Sequence, residues 1–72
     1  MTIKQLRDYL ETIPIEEDHR HILRPVGDHG YAITSLSFDD VTENRKERRF
    51  FEYYGDEHLE ENEHKVKALI AI

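Results

Sequence analysis

Ile3, Leu6, Leu10 and Ile13 recur at intervals of three and four, the spacing that gathers apolar side chains into one stripe along an α-helix. Lys4, Arg7, Asp8 and Glu11 fill positions around that stripe. Thr2 and Gln5 have the spacing of a capping box, in which the Thr hydroxyl accepts from the third helical N–H and the Gln side chain reaches back. Pro14 disfavours helical geometry at Ile13, so the pattern predicts a helix that begins after Thr2 and ends within a residue or so of Ile13.

Beyond the polar Glu16, Glu17 and Asp18 the helical period is lost. Residues 19–26 and 31–38 read as two extended runs separated by Gly27, Asp28, His29 and Gly30, which have the composition of a hairpin connection. Tyr31 and Ile33 share one parity and Leu36 and Phe38 the other, so a β-bulge near Thr34 or Ser35 is expected to turn both pairs inward. Residues 39–44 read as a polar turn. Over 45–54, Phe50, Phe51, Tyr53 and Tyr54 favour a strand by propensity. A helix over 40–54 stays open, because Val41, Phe50, Phe51 and Tyr54 could share a face. Residues 56–64 form a polar loop, or one or two helical turns, around Leu59. At the end, Val66, Ala68, Ile70 and Ile72 alternate with Lys65, Lys67, Leu69 and Ala71, which predicts a strand buried on one face and partly on the other.

These elements predict an α+β fold in one domain spanning 1–72, with the helix packed across one face of a mainly antiparallel sheet of about four strands. The expected core draws on Ile3, Leu6, Leu10, Ile13, Leu23, Ile33, Leu36, Phe38, Phe51, Val66, Ala68 and Ile70. Such a core is thin. Nineteen of the 72 residues are Ile, Leu, Val or Phe, above the level of about 20% below which a charged chain stays disordered. A homodimer formed through a sheet edge or through surplus aromatics would supplement it. The absence of cysteine excludes disulfides, a thiolate nucleophile and Cys-based zinc sites. With no apolar run approaching the roughly 18 residues of a membrane helix, and no basic start followed by an apolar stretch, a soluble, cytoplasmic protein is expected.

Met1, Thr2, Ile3, Lys4, Leu6, Leu10 and Pro14 form an opening helix of Met-Thr-aliphatic-Lys-x-Leu type that ends at a proline, with Gly30, Tyr31, Ile33 and Thr34 as weaker support. In this the first half of the chain resembles the small, mostly uncharacterised proteins encoded by phages and prophages. The resemblance implies a mobile-element origin and an N-terminal helix followed by a hairpin. It implies no catalytic residues, and it does not extend to the basic-aromatic and acidic segments further on.

Charge locates two candidate surfaces. The chain has 16 acids against 10 Lys and Arg, a formal charge of −6. Asp56, Glu57, Glu60, Glu61 and Glu63 lie in one stretch with no Lys or Arg. They read either as a solvated loop that keeps the chain soluble or as a surface that steers and holds a positively charged partner. Carboxylates spaced in this way can engage the Arg and Lys residues that would otherwise contact phosphates. Arg45, Lys46, Arg48 and Arg49 beside Phe50, Phe51, Tyr53 and Tyr54 carry the opposite signal, since basic groups hold phosphates while aromatic faces stack bases. The structural reading of that run is an outer strand with aromatics in the core and arginines in solvent. Overall acidity argues against extended nucleic acid, leaving a nucleotide as the ligand that Arg45, Arg48, Arg49, Tyr53 and Tyr54 would take.

His19 and His21, two apart in an expected strand, would share a face and could offer two imidazoles to a metal. A third ligand from His29, His58, His64 or a carboxylate is not placed by the pattern, so no metal and no cofactor is assigned. Protonating all five histidines would carry the formal charge from −6 to −1, weakening any acidic surface as pH falls. Phosphate-binding glycine loops, Gly-x-Ser-x-Gly elbows and His-Glu-x-x-His motifs are absent, and nothing sets a geometry around Ser35 or Ser37. The leading expectation is therefore a non-enzymatic acidic inhibitor of mobile-element origin. It would act in anti-defence, for example as an anti-CRISPR protein, by occupying the basic, nucleic-acid-handling surface of a host protein without engaging a membrane. A nucleotide-binding or nucleotide-sequestering module on 45–54 and a structural or assembly subunit are the alternatives.

Overall fold

A computed structural model describes residues 1–27 and 30–72. It contains helix α1 (Ile3–Glu11) and strands β1 (Ile22–Leu23), β2 (Leu36–Asn44), β3 (Arg49–Glu52) and β4 (Glu63–Ala71), with single 3-10 turns at Ile15–Glu17 and Asp56–His58. The strands form one sheet in the order β1-β4-β2-β3, so the fold is α+β.

Helix α1 begins as its sequence requires. Gln5 N–H donates to Thr2 Oγ1 at 3.1 Å and Thr2 N–H to Gln5 Oε1 at 2.8 Å, which satisfies two donors at the helix start. Lys4 and Asp8 pair across one turn at 3.2 Å. The last turn closes through Thr12 and Ile13 N–H groups donating to Tyr9 and Leu10 carbonyls, and Pro14 lies just beyond.

Strands β2 and β4 carry the sheet. They pair antiparallel over nine residues each, from Leu36 opposite Ala71 to Asn44 opposite Glu63. β3 adds antiparallel to the outer side of β2, and β1 adds parallel to β4 through Ile22 opposite Leu69 and Leu23 opposite Ile70. The sheet is thus mixed. Because strand side chains alternate between faces, Leu36, Phe38, Thr42, Phe51, Leu69 and Ala71 share one face, and Val41, Phe50, Val66, Ala68 and Ile70 share the other. Ala68, Leu69 and Ala71 are buried, together with Thr42, whose hydroxyl donates to the Glu52 carbonyl at 3.2 Å. β4 is an interior strand paired on both edges, and its last residues are buried on both faces, Ala68 on one and Leu69 and Ala71, absent from the expected core, on the other.

Several expectations are corrected. Ile3, Leu6 and Leu10 are exposed and α1 buries none of its residues, so the helix does not cover the sheet. Ile13, Leu23, Ile33, Leu36, Phe38, Phe51, Val66 and Ile70 are only partly buried. Residues 19–26 shrink to the two-residue β1, which pairs with β4 and not with the run after Gly30. The connection expected at 27–30 includes Asp28 and His29, which lie outside the described residues. Residues 39–44, expected to turn, continue β2: Asp39 and Asp40 face solvent while Val41 meets Val66 across the ladder. The hairpin instead joins β2 to β3 through residues 45–48, with Arg48 at φ 56° in the left-handed region. Of the two readings of 45–54, the strand is the one that forms, and it covers only Arg49–Glu52.

A two-to-one contact forms where the bulge was expected, but it precedes β2 and does not turn Tyr31 inward. Thr34 and Ser35 N–H groups donate to the same Ile72 carbonyl at 2.6 and 3.0 Å, so two residues oppose one. Ile33, Leu36 and Phe38 are partly buried on either side of it, while Tyr31 stays in solvent.

Candidate partner-binding surface

β3 and β4 run in the same direction, both antiparallel to β2. Residues 53–62 must therefore return from the far end of β3 to the end of the sheet where Glu63 opposes Asn44. They cross the face bearing Thr42 and Phe51, with Leu59 partly buried against it. A cleft of about 210 Å³ remains beneath the crossing, lined by Thr42, Phe51, Tyr54, His58 and Leu59 among others. Gly55 starts the return at φ 121°, ψ 155°, a conformation open in practice only to glycine. Asn62 ends it at φ 71°, and the Arg45 N–H donates to the Asn62 carbonyl at 3.1 Å, joining the acidic crossing to the β2–β3 turn.

This path displays the acids unequally. Glu57, Glu60 and Glu61 point into solvent, as does Asp56. Asp56 Oδ1 also accepts a 2.5 Å hydrogen bond from the Tyr53 hydroxyl. That bond to a carboxylate, with burial and the nearby negative charges adding to it, pushes the Tyr53 phenol up to about 12. Lys65, the first cation after the acidic stretch, sits over the Tyr53 ring at 5.5 Å from its centre and does not pair with a carboxylate. Glu63 is partly buried and turned inward, its Oε1 accepting from the Glu60 N–H at 3.0 Å. Among the described residues, no Lys or Arg forms a salt bridge with any acid of 56–63, and the one partner is His58, 3.7 Å from Glu57.

The basic-aromatic run is divided by the fold. Arg45 and Arg48 lie in or beside the turn, and Arg49 opens β3, whereas Tyr53 and Tyr54 follow the strand's other end. Five residues of extended chain put Arg49 about 16 Å from Tyr54. Arg45 pairs with Glu43 at 3.1 Å and Arg49 with Glu47 at 3.6 Å. Tyr54 donates to Glu52 at 2.8 Å, which raises its pKa above the ordinary phenol value. Phe50 packs against the His21 ring with centroids 4.8 Å apart.

No known protein family matches this chain, and no curated protein or solved structure is similar to it. Its surfaces carry the functional argument alone. His19 and His21 are held separately, His19 Nδ1 against the Glu16 carbonyl at 2.9 Å and His21 against Phe50. Among the described residues no three His, Asp or Glu side chains gather as metal ligands, and no helix is long and apolar enough to cross a membrane. The Tyr53–Asp56 bond and the inward turn of Glu63 were not anticipated. The three-residue spacing of Glu60 and Glu63 was the available signal for the second, being the spacing by which a side chain reaches back to a backbone N–H.

Proposed function

We propose that this protein is a non-enzymatic acidic binding protein that inhibits a partner by occupying a positively charged surface. The observation that carries this reading is the exposed row Glu57, Glu60 and Glu61, which among the described residues has no Lys or Arg partner and only His58 beside Glu57, on a crossing held at both ends by backbone geometry. Carboxylates carried on a backbone already held in place lose less ordering entropy on meeting guanidinium or ammonium groups than those of a mobile segment do. Glu63 contributes by shaping the turn and not by contact. The sharpest form of the proposal is a phage-borne anti-defence role, such as an anti-CRISPR protein, acting on a host protein whose basic surface holds nucleic acid. The nucleotide-binding alternative at Arg45, Arg48, Arg49, Tyr53 and Tyr54 ranks lower, because two of its arginines are paired and its tyrosines lie a strand's length away. A structural or assembly role ranks with it.

The test is retention of a nucleic-acid-handling protein from bacterial lysate on the immobilised chain, washed at low and then high salt. Binding at low salt, release at high salt and loss in the combined Glu57→Gln, Glu60→Gln, Glu61→Gln variant are expected. Retention that ignores both salt and those substitutions would remove the basis of the reading.

A further inference from the structure

Helix α1 presents an apolar face that its own sheet does not cover. Ile3, Leu6 and Leu10 are 77%, 37% and 45% exposed, and they line an open groove together with Arg7 and Glu11. The whole molecule is correspondingly over-exposed. Its accessible surface is 6034 Å², whereas a compact monomer of this mass exposes about 4,700 Å². The excess, roughly 1,300 Å², is shared between the helix stripe and other exposed apolar side chains, Ile15, Ile22, Val26 and Tyr31 among them. The radius of gyration, 13.7 Å, likewise exceeds the value of about 11 Å for a compact 72-residue domain.

The charges beside the groove say what covers it. Lys4 and Arg7 lie in the N-terminal half of the helix and Asp8 and Glu11 in the C-terminal half, with no acid in the first turn and no base in the last. That order opposes the helix dipole. Lys4 and Asp8 neutralise each other, but among the described residues neither Arg7 nor Glu11 is ion-paired. A second helix of the same sequence, laid antiparallel about a two-fold axis, resolves each of these features at once. It sets the basic half of one helix against the acidic half and negative dipole end of the other, Arg7 facing the second copy's Glu11 and the reverse. The Leu6 and Leu10 side chains interdigitate between them. Such reciprocity is what an isologous interface requires.

We infer that α1 is the interface of a homodimer, two copies packing their Ile3, Leu6 and Leu10 stripes antiparallel with reciprocal Arg7–Glu11 pairs. This places self-association on the helix, away from the sheet edges and from the acidic crossing, so each dimer displays two acidic surfaces. The interface is apolar at its centre and persists at high salt, unlike the binding proposed for the acids.

Sedimentation equilibrium over a dilution series tests it. The wild-type chain is expected at twice its 8.6 kDa mass, dissociating on dilution. Leu6→Asp should be monomeric throughout with an unchanged β-sheet circular dichroism signal, since Leu6 supports nothing in the sheet. Arg7→Glu or Glu11→Arg alone should weaken association about tenfold, and the two together should restore it. A wild-type chain that stays at monomer mass across the series overturns the proposal. So does a dimer indifferent to both Leu6→Asp and the charge exchanges.

Discussion

Among the described residues Leu69 is the one large apolar side chain that is buried almost completely, at 4% exposure, in the interior strand between Phe38 on β2 and Ile22 on β1. Leu69→Ala removes the equivalent of about three methylene groups, roughly 2.4 kcal/mol of transfer free energy, before any cavity is counted. Leu36 and Phe38, on the same face, are themselves partly exposed and free to close over the gap, so the total belongs near the low end of the buried Leu→Ala range, about 3 kcal/mol. A chain of this length has a stability of about 4–11 kcal/mol, and 3 kcal/mol lowers the melting temperature by roughly 15 °C. The assay is urea denaturation followed by circular dichroism, run beside Leu6→Ala at a concentration where the wild type is monomeric. Leu6→Ala should then cost under about 1 kcal/mol, because its side chain leaves no cavity. Equal costs for the two variants would refute the reasoning, since they would mean that the helix packs on the sheet.

Two further predictions test the acidic crossing. In an alkaline titration followed at the phenolate absorbance band, Tyr53 should ionise near 12, with Tyr54 also late, and Asp56→Asn should return Tyr53 towards the ordinary value near 10. Because the folded chain holds those protons more tightly than the unfolded one, their stabilisation is complete below about pH 10 and is lost as pH rises towards 12. Gly55→Ala should destabilise by about 1–3 kcal/mol, read as a lower urea midpoint at unchanged slope, because alanine at φ 121° is strained. Its Cβ would also stand 2.7 Å from the Glu57 carboxylate, displacing one of the proposed contacts.

The helix was legible because each of its determinants is local. Thr2 and Gln5 cap it, Pro14 ends it, and the stripe from Ile3 to Leu10 has the helical period whether or not anything packs on it. The parity change near Thr34 and Ser35 was legible too, but it marks the start of β2 rather than an extra residue inside a longer strand, and Tyr31 lies in solvent. The acidic row and its lack of internal cations could also be read directly, since no Lys or Arg occurs between Arg49 and Lys65.

What the residues alone did not settle was which segments pair. Two extended runs flanking Gly27 and Gly30 made a hairpin attractive, yet β2 found its nine-residue partner in β4, more than twenty residues away along much of the ladder. Asp39 and Asp40 looked like turn residues because polarity marks both turns and exposed strand positions, here one on each face of the sheet. Only the pairing of Val41 with Val66 distinguishes the two. The fate of the basic-aromatic run was decided in the same way: its neighbours in sequence became opposite ends of β3, and its charges met Glu43 and Glu47. Local chemistry determined the helix and the sign of each surface. The tertiary structure alone decided strand partners, the burial of Leu69 and the exposure of the helix stripe, because those depend on contacts between residues that chain order keeps apart.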